Sequence, residues 1–381
     1  MNKLSTETIL KNGQNITDLW SYLSKANKKI LLYGMGNGAD KIISVCQSCG
    51  IEIADFFASD GFVRGHSFHG KRVLSYSEAK EKYGTENMIV LLSFASSLPD
   101  VLENIYKIAD ECELYAPDVP VFGNTLFDTE FYNKNFDDLC RVCESFADEE
   151  SRRIYKEIIA YKLTGDISHL RECESDKREA YNEILCAESI ESYADLGAYN
   201  GDTIRELLPY APNLKHVCAL EPDARNFRKL CEYYASLESP TFELDAHNVG
   251  AWDAPDMLYF DKSGNRNAGL LQNSSDFSDA INARAKKITE IKVDSLDNIL
   301  GGKRIDYIKY DVEGSEAQAL LGSAQTISAH TPALLVSLYH RSEDLFELPL
   351  LVKKLNPKYS LYLRRMRYIP AWDINLYAVK K

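Results

Sequence analysis

Short apolar runs and amphipathic stretches alternate along residues 28–122. Lys29–Tyr33, Ile51–Phe57 and Met88–Ser93 have the length and content of buried strands. Ala39–Cys49 and Pro99–Ala109 carry the helical period, and Ser77 is placed to cap a further helix. His69–Leu74 predicts a turn and short strand, and Val119–Phe122 a last strand. Strand and helix in this alternation predict a doubly wound α/β unit. It follows a helical preface at 1–27, where Ile16, Leu19, Trp20 and Leu23 share a face. Residues 123–190 change character: an apolar stripe (Phe146, Ile154, Tyr155, Ile158, Ile159, Tyr161) runs through charged helices, Thr164-Gly165-Asp166 breaks it, and Asp176–Ala187 resumes as helix. From 191 the alternation returns. Strands are predicted at Tyr193–Asp195, His216–Leu220, Thr241–Leu244, Met257–Phe260, Thr289–Val293, Arg304–Tyr310, Ala333–Leu338, Tyr359–Leu363 and Asn375–Val379. Three parts follow: an N-terminal Rossmann-like domain (1–122), a helical connector (123–190) and a larger α/β domain (191–381).

Composition narrows the function classes. A net charge of −13 disfavours a phosphate-backbone-binding face, so no nucleic-acid partner is expected. No apolar run approaches the ~20 residues of a membrane span. Residues 1–11 are polar and lack a signal peptide's apolar core. Nine scattered cysteines, without an export signal, read as reduced thiols in a cytoplasmic protein. The pairs Cys46/Cys49 and Cys140/Cys143 lie in helical patterns and read as packing residues.

The chemistry begins at Asp195-Leu-Gly197-Ala198-Tyr199-Asn-Gly201-Asp202-Thr203. An apolar run ends in an acid, glycines turn the chain, and a helix opens at Asp202 and Thr203. Glu221-Pro222 ends the next apolar run. A carboxylate about 20 residues past such glycines can accept both hydroxyls of a ribose. The spacing D-x-G-x-x-x-G is not the G-x-G-x-x-G of a pyrophosphate site. Asp195 would repel a pyrophosphate but attract an ammonium, so the paired acids favour S-adenosylmethionine over a dinucleotide. Asp245 and Asn248, after the third strand, are candidates for the adenine amine.

A second edge follows at Asp311-Val-Glu313-Gly-Ser-Glu316, with Tyr339-His340 ending the next strand. In open α/β sheets ligands bind off the carboxyl ends of strands, so Asp195, Glu221, Asp311 and His340 converge on one rim. A hydroxyl acceptor must lose its proton as it attacks; His340 is the first candidate base and Asp311 the second. Asp311, Glu313 and Glu316 offer Mg²⁺ as an alternative; the metal-free route is expected. Ser263–Asp279, rich in Gly, Asn and Ser, reads as a lid over the acceptor. Arg364, Arg365 and Arg367 form a basic knot that would suit an anionic acceptor.

Together the Asp195–Thr203 motif, Leu220-Glu-Pro222, Val293-Asp-Ser-Leu-Asp297 and Ile308-Lys-Tyr-Asp-Val-Glu-Gly-Ser-Glu316 resemble the FkbM-type methyltransferase family. Leu320-Leu-Gly322 and Thr331-Pro332 match as well, and the resemblance covers roughly residues 190–381. It implies a class I methyltransferase sheet of seven strands, the last antiparallel, with S-adenosylmethionine as donor. A sugar or polyketide hydroxyl is the implied acceptor. By that match Asp195, Gly197 and Glu221 hold the donor, and Asp311 and Glu313 sit near the methyl group. Residues 28–122, through Tyr33-Gly-Met-Gly-Asn-Gly38, Asp60 and Gly70–Leu74, resemble the Rossmann-like domain of bacterial sugar acyltransferases. That likeness implies a nucleotide-linked sugar site or a docking domain, and a homodimer stays open. The expected activity is O-methylation of a glycan precursor or related metabolite, nucleotide-linked or phosphorylated acceptors included. A silent nucleotide-sugar scaffold and an N- or C-directed methyltransferase are the alternatives.

Overall fold

The computed structural model describes residues 4–11, 16–63, 65–261, 269–271 and 288–380. The N-terminal unit is built on β1 (Lys29–Tyr33), β2 (Ile53–Ala58), β5 (Leu74–Ser75), β6 (Met88–Leu92) and β7 (Glu113–Tyr115). These pair in the order β5-β2-β1-β6-β7, all parallel. Short strands β3 (Ser67–Phe68) and β4 (Lys71–Arg72) form a separate ribbon. Counting the five sheet strands along the chain, the order is 3-2-1-4-5, a Rossmann half with its crossover between β1 and β6.

The expected strand at 119–122 is not one; β7 lies earlier, at Glu113–Tyr115. Pro120 has no N–H for a ladder. Its carbonyl and that of Val121 accept from Lys41 Nζ at 2.9 and 2.7 Å instead. The segment therefore leaves the sheet and runs toward the C-terminal domain.

Helices Thr129–Lys134, Phe136–Ser145 and Glu149–Thr164 fill the connector. Asp148 caps the third through Ser151 N, and Gly165 stops it in a left-handed conformation. Its buried face, Ile154 to Leu163, packs on a strand of the C-terminal sheet. The predicted helix at 176–187 is a single turn, Lys177–Glu179, continued by a π turn, Ala180–Ile184.

The C-terminal sheet takes β8 (Ser192–Leu196), β9 (His216–Leu220), β10 (Glu243–His247), β15 (Tyr307–Tyr310), β16 (Ala333–Ser337), β17 (Tyr359–Arg365) and β18 (Ile374–Lys380). Its order is β10-β9-β8-β15-β16-β18-β17, or 3-2-1-4-5-7-6, with β18 antiparallel to both neighbours. Between β10 and β15 a second sheet orders β11 (Gly250–Ala251), β14 (Ile288–Asp294), β12 (Asp256–Asp261) and β13 (Gly269–Leu271) as β11-β14-β12-β13. The predicted lid at 263–279 lies outside the described residues except for β13. Among the described residues no helix is long and apolar enough to cross a membrane.

Candidate active site

Strand order places the ends of β8, β9 and β15 side by side. Gly197 leaves β8 at φ +85°, and a Cβ there would lie 2.0 Å from the Asp311 carbonyl oxygen. Only glycine permits that approach of the two strand exits. A cavity of about 790 Å³ opens along this rim, in the upper part of the range for small-molecule sites.

On one side of the cavity stand Gly197, Tyr199, Asp202, Thr203, Glu221 and Pro222. The Glu221 carboxylate accepts from Tyr199 N and Asp223 N, both at 2.8 Å. Burial pushes its pKa up to about 7 against those two hydrogen bonds. Ala198 is buried behind the turn, its N–H donated to Leu220 O at 3.0 Å. Gly201 is the left-handed residue before helix Asp202–Leu207. Two expected adenine contacts are placed otherwise. Asp245 pairs with His247 at 2.9 Å, and Asn248 donates to the Glu221 and Pro222 carbonyls at 2.8 and 3.1 Å. Neither lines the cavity; Asn248 fixes the turn that carries Glu221.

Asp195 is fully buried beneath the rim. Its carboxylate accepts from Thr203 Oγ1, and Lys309 Nζ lies 3.6 Å away. Lys309 also stands 3.4 Å from Asp311 Oδ2 and itself lines the cavity. Burial opposes its charge, yet Asp311 and Asp195 hold its pKa above the usual lysine value. The acid expected to grip an ammonium therefore faces a lysine. The sequence signal was present: Tyr307 and Lys309 alternate onto one face of β15, as Tyr193 and Asp195 do on the adjoining β8.

The other side of the cavity is formed by Asp311, Glu313, Tyr339, Tyr368, Trp372 and Asp373. Tyr339 and Tyr368 ring centroids lie 6.2 and 5.5 Å from that of Trp372. Behind this wall His340 is fully buried, with Nδ1 2.9 Å from Glu316 Oε1. Its Nε2 lies 3.5 Å from both Asp311 Oδ1 and Glu313 Oε2. Burial works against an imidazolium, but Glu316, Glu313 and Asp311 raise its pKa to about 10. His340, expected from the sequence as the first candidate base, stands behind the wall and does not itself line the cavity. Asp311 is the opposite case: burial raises, but Lys309 and His340 outweigh it, and its pKa is lowered. Burial lifts Glu313 to about 8.

The N-terminal unit reaches this wall. Val121 lines the cavity, and Phe122 N donates to His340 O at 2.8 Å. Ser96 and Ile369 exchange backbone hydrogen bonds at 2.8 and 3.0 Å, tying the β17–β18 loop to the same unit. Two members of the basic knot face elsewhere. Arg364 pairs with Asp148 and Glu179 at 2.8 and 2.7 Å, and Arg365 donates to Leu170 O. Arg367 pairs with Glu174 at 2.9 Å on the surface.

A 3-2-1-4-5-7-6 sheet with an antiparallel β18, a glycine turn after β8 and an acid ending β9 is the class I methyltransferase fold. Residues 195–369 match the family model of the Methyltransferase FkbM domain. Among solved structures, the chain is similar to Methyltransferase FkbM from Methylobacillus flagellatus KT, at 19% identity and a TM-score of 0.66. That alignment covers 92% of this chain and 90% of the other, so the shared fold includes the N-terminal unit. An rRNA methylase from Streptococcus thermophilus aligns at 15% identity over 56% of this chain and 96% of its own, with a TM-score of 0.33. Precorrin-6y C5,15-methyltransferase from Geobacter metallireducens GS-15 aligns at 9% over 55% and 93%, with a TM-score of 0.32. These two scores are too low to carry an argument. No curated protein matches the chain.

Proposed function

We propose that this chain methylates a hydroxyl of an uncharged sugar or related hydroxylated metabolite, with S-adenosylmethionine as donor. The observation that carries the reading is one cavity with Glu221 on one side and Asp311 on the other. Each Glu221 oxygen accepts one backbone N–H and keeps a lone pair, which suits a ribose diol. Backbone at Gly197 and Tyr199 would border the nucleoside, and Thr203 and Asp202 the amino-acid end. Lys309 would meet the donor's carboxylate, with Asp195 beneath as its counter-ion.

Bound there, S-adenosylmethionine supplies an electrophilic methyl group. The chain's part is to orient the acceptor oxygen and take its proton. Orientation accounts for up to about 7–11 kcal/mol of barrier in well-aligned systems. Asp311 is the carboxylate placed to accept the proton, since Lys309 and His340 keep it ionised. Glu313 and Asp373 can accept further acceptor hydroxyls, and Trp372 and Tyr339 offer ring faces to an apolar ring surface.

An uncharged acceptor suits this wall better than a phosphorylated or nucleotide-linked one. Lys177 is paired with Glu206 at 2.7 Å and Lys309 stands between Asp195 and Asp311, while the other two cations lining the cavity, Arg225 and Lys229, follow Pro222 on the donor side. The test is calorimetry with S-adenosylhomocysteine, followed by a screen for products 14 Da heavier among neutral glycosides and their nucleotide-linked forms. Absence of donor binding sinks the reading. Turnover confined to nucleotide-linked acceptors sinks the acceptor assignment.

A further inference from the structure

The cavity does not stop at the rim. Its lining includes Ser337 and Asn375, and one layer further down Leu335 and Tyr377. Ser337 pairs with Asn375, and Leu335 with Tyr377, across β16 and β18. Lys309 lies beside Leu335 on β15, and Asp311 is two residues on. Side chains two residues apart in a strand share a face. The cavity therefore runs down one face of the sheet, against β15, β16 and β18, whereas the donor reading uses the exits of β8 and β9.

Polar groups on this face are buried, yet they line the cavity. Ser337 is 2% exposed and Asn375 6%. Among the described residues the Ser337 hydroxyl makes no hydrogen bond. Asn375 Nδ2 donates to Asp373 Oδ1 at 2.7 Å, which leaves the amide oxygen and Asp373 Oδ2 with acceptor capacity to spare. Asp373 is held at φ +60°, a backbone state that aspartate and asparagine tolerate better than other side chains. A buried polar group left without a partner costs about 1–3 kcal/mol, which a ligand hydroxyl would recover. Neighbouring strands stand about 4.8 Å apart, so two intervals place Asn375 roughly 10 Å from Asp311 along the face. Hydrogen bonds of about 2.7–3.0 Å at each end leave space between them for one six-membered ring with its oxygens.

We propose that Ser337, Asn375 and Asp373 are the specificity-determining residues for the acceptor. They read hydroxyls on the far side of the ring whose near hydroxyl gives its proton to Asp311. The acceptor unit is then a single polyhydroxylated ring, a hexopyranose or a cyclitol, with its far-side oxygens unsubstituted. The chemistry of the three side chains sets that condition. A serine hydroxyl donates or accepts, but the Asn375 amide oxygen and the Asp373 carboxylate only accept, so each needs a ligand proton. An ether, ester or phosphate at the far side brings none and leaves the carboxylate unsatisfied. Trp372, next to Asp373, offers an aromatic face to the C–H side of the same ring. The inference deepens the proposed methyl transfer and rests on that reading for the reacting end, though not for the binding of the ring.

The experiment uses the full chain, with methyl hexopyranosides and inositols as probes, each beside its monodeoxy and mono-O-methyl forms. Saturation-transfer NMR, with and without S-adenosylhomocysteine, reads ring binding. Transfer of labelled methyl from S-adenosylmethionine reads turnover. At least one parent ring should bind and be methylated. In wild type, loss of one far-side hydroxyl should lower kcat/KM about 100-fold or more, because the site's polar groups are then left unpaired. Asp373→Asn keeps a residue suited to φ +60°. In that variant the ratio of parent to deoxy ring should fall below about tenfold, through a higher KM for the parent, with S-adenosylhomocysteine affinity within about twofold of wild type. If Asp373→Asn fails to fold, Ser337→Ala should show the same collapse for the hydroxyl it reads. The inference is overturned if no ring of the panel binds, if the variants keep the wild-type ratio, or if far-side O-methyl rings serve as well as their parents. Titration with S-adenosylhomocysteine on the same samples separates the two readings. Donor binding without ring binding removes this acceptor site and leaves the methyltransferase; ring binding without donor binding does the reverse.

Discussion

Phe122 donates its backbone N–H to the carbonyl of His340 across the boundary between the two α/β units, at 2.8 Å. Its ring also covers Gly314, where a Cβ would meet Phe122 Cγ at 2.9 Å. Gly314 has φ +89° and Glu313 φ +53°. A non-glycine residue in that region persists only where its surroundings over-determine it. Phe122 is therefore a positioning residue for the turn that presents Asp311 and Glu313. Gly314→Ala should destabilise the chain through backbone strain, about 1–2 kcal/mol, plus the clash. Phe122→Ala should remove the clash and leave the strain. Denaturant unfolding of both singles and the double should give a sum smaller than additive; strict additivity would mean the two do not touch.

Lys309→Met leaves Asp195 and Asp311 without their shared cation. Removing one member of a buried ion group costs about 3–5 kcal/mol. The variant should unfold at markedly lower denaturant and bind S-adenosylhomocysteine more weakly, since the donor's carboxylate loses its partner. Wild-type stability in this variant would show that the two acids do not depend on Lys309.

The pH dependence of donor binding follows from Glu221. Below its pKa of about 7 the side chain is a neutral acid and loses acceptor capacity. Donor affinity should level off above about pH 8 and fall as pH drops below 7, approaching ~tenfold per unit if only the carboxylate binds. Calorimetry between pH 5.5 and 8.5 measures this. Glu221→Gln should weaken binding and flatten the profile; an equally steep profile would assign the titration to another group.

Asp311→Asn should lower turnover by about 10²–10⁴-fold, the usual contribution of a general base. S-adenosylhomocysteine affinity should stay within about twofold, because Asp311 stands on the acceptor side. Lys309 and His340 keep the carboxylate ionised, so the acidic limb of the rate profile should not belong to it.

Arg364→Ala should act on stability alone. It takes a buried guanidinium from Asp148 and Glu179, both partly exposed, a loss of about 1.5–3 kcal/mol. Arg367→Ala removes an exposed pair worth about 0–1 kcal/mol. Acceptor KM should be unchanged in Arg367→Ala; a rise would return the surface arginine to the acceptor site.

The rim was legible because it follows from local pattern. Asp195, Glu221 and Asp311 each end or follow a strand whose apolar run can be read without knowing its neighbours. What sits beside what was less legible. Lys309 looks like any strand lysine until β8 and β16 close on β15 and leave it only Asp195 and Asp311. His340 does follow β16, but it stands buried behind the cavity wall, because a turn folds Glu316 and Glu313 back around it. Asp245 was read as a cavity residue, yet at the edge strand β10 it turns to His247. The strand expected at 119–122 failed on Pro120, a local signal that a hydrophobic run outweighed.

The backbone exchange between Ser96 and Ile369 has a consequence for biosynthesis. One partner is made early on the ribosome and the other some 270 residues later. A nascent chain that has finished only its first glycine-turn unit has half a fastening and no chamber to close. Until the β17–β18 hairpin is made, the first unit lacks this tie and the cavity lacks Tyr368, Trp372 and Asp373.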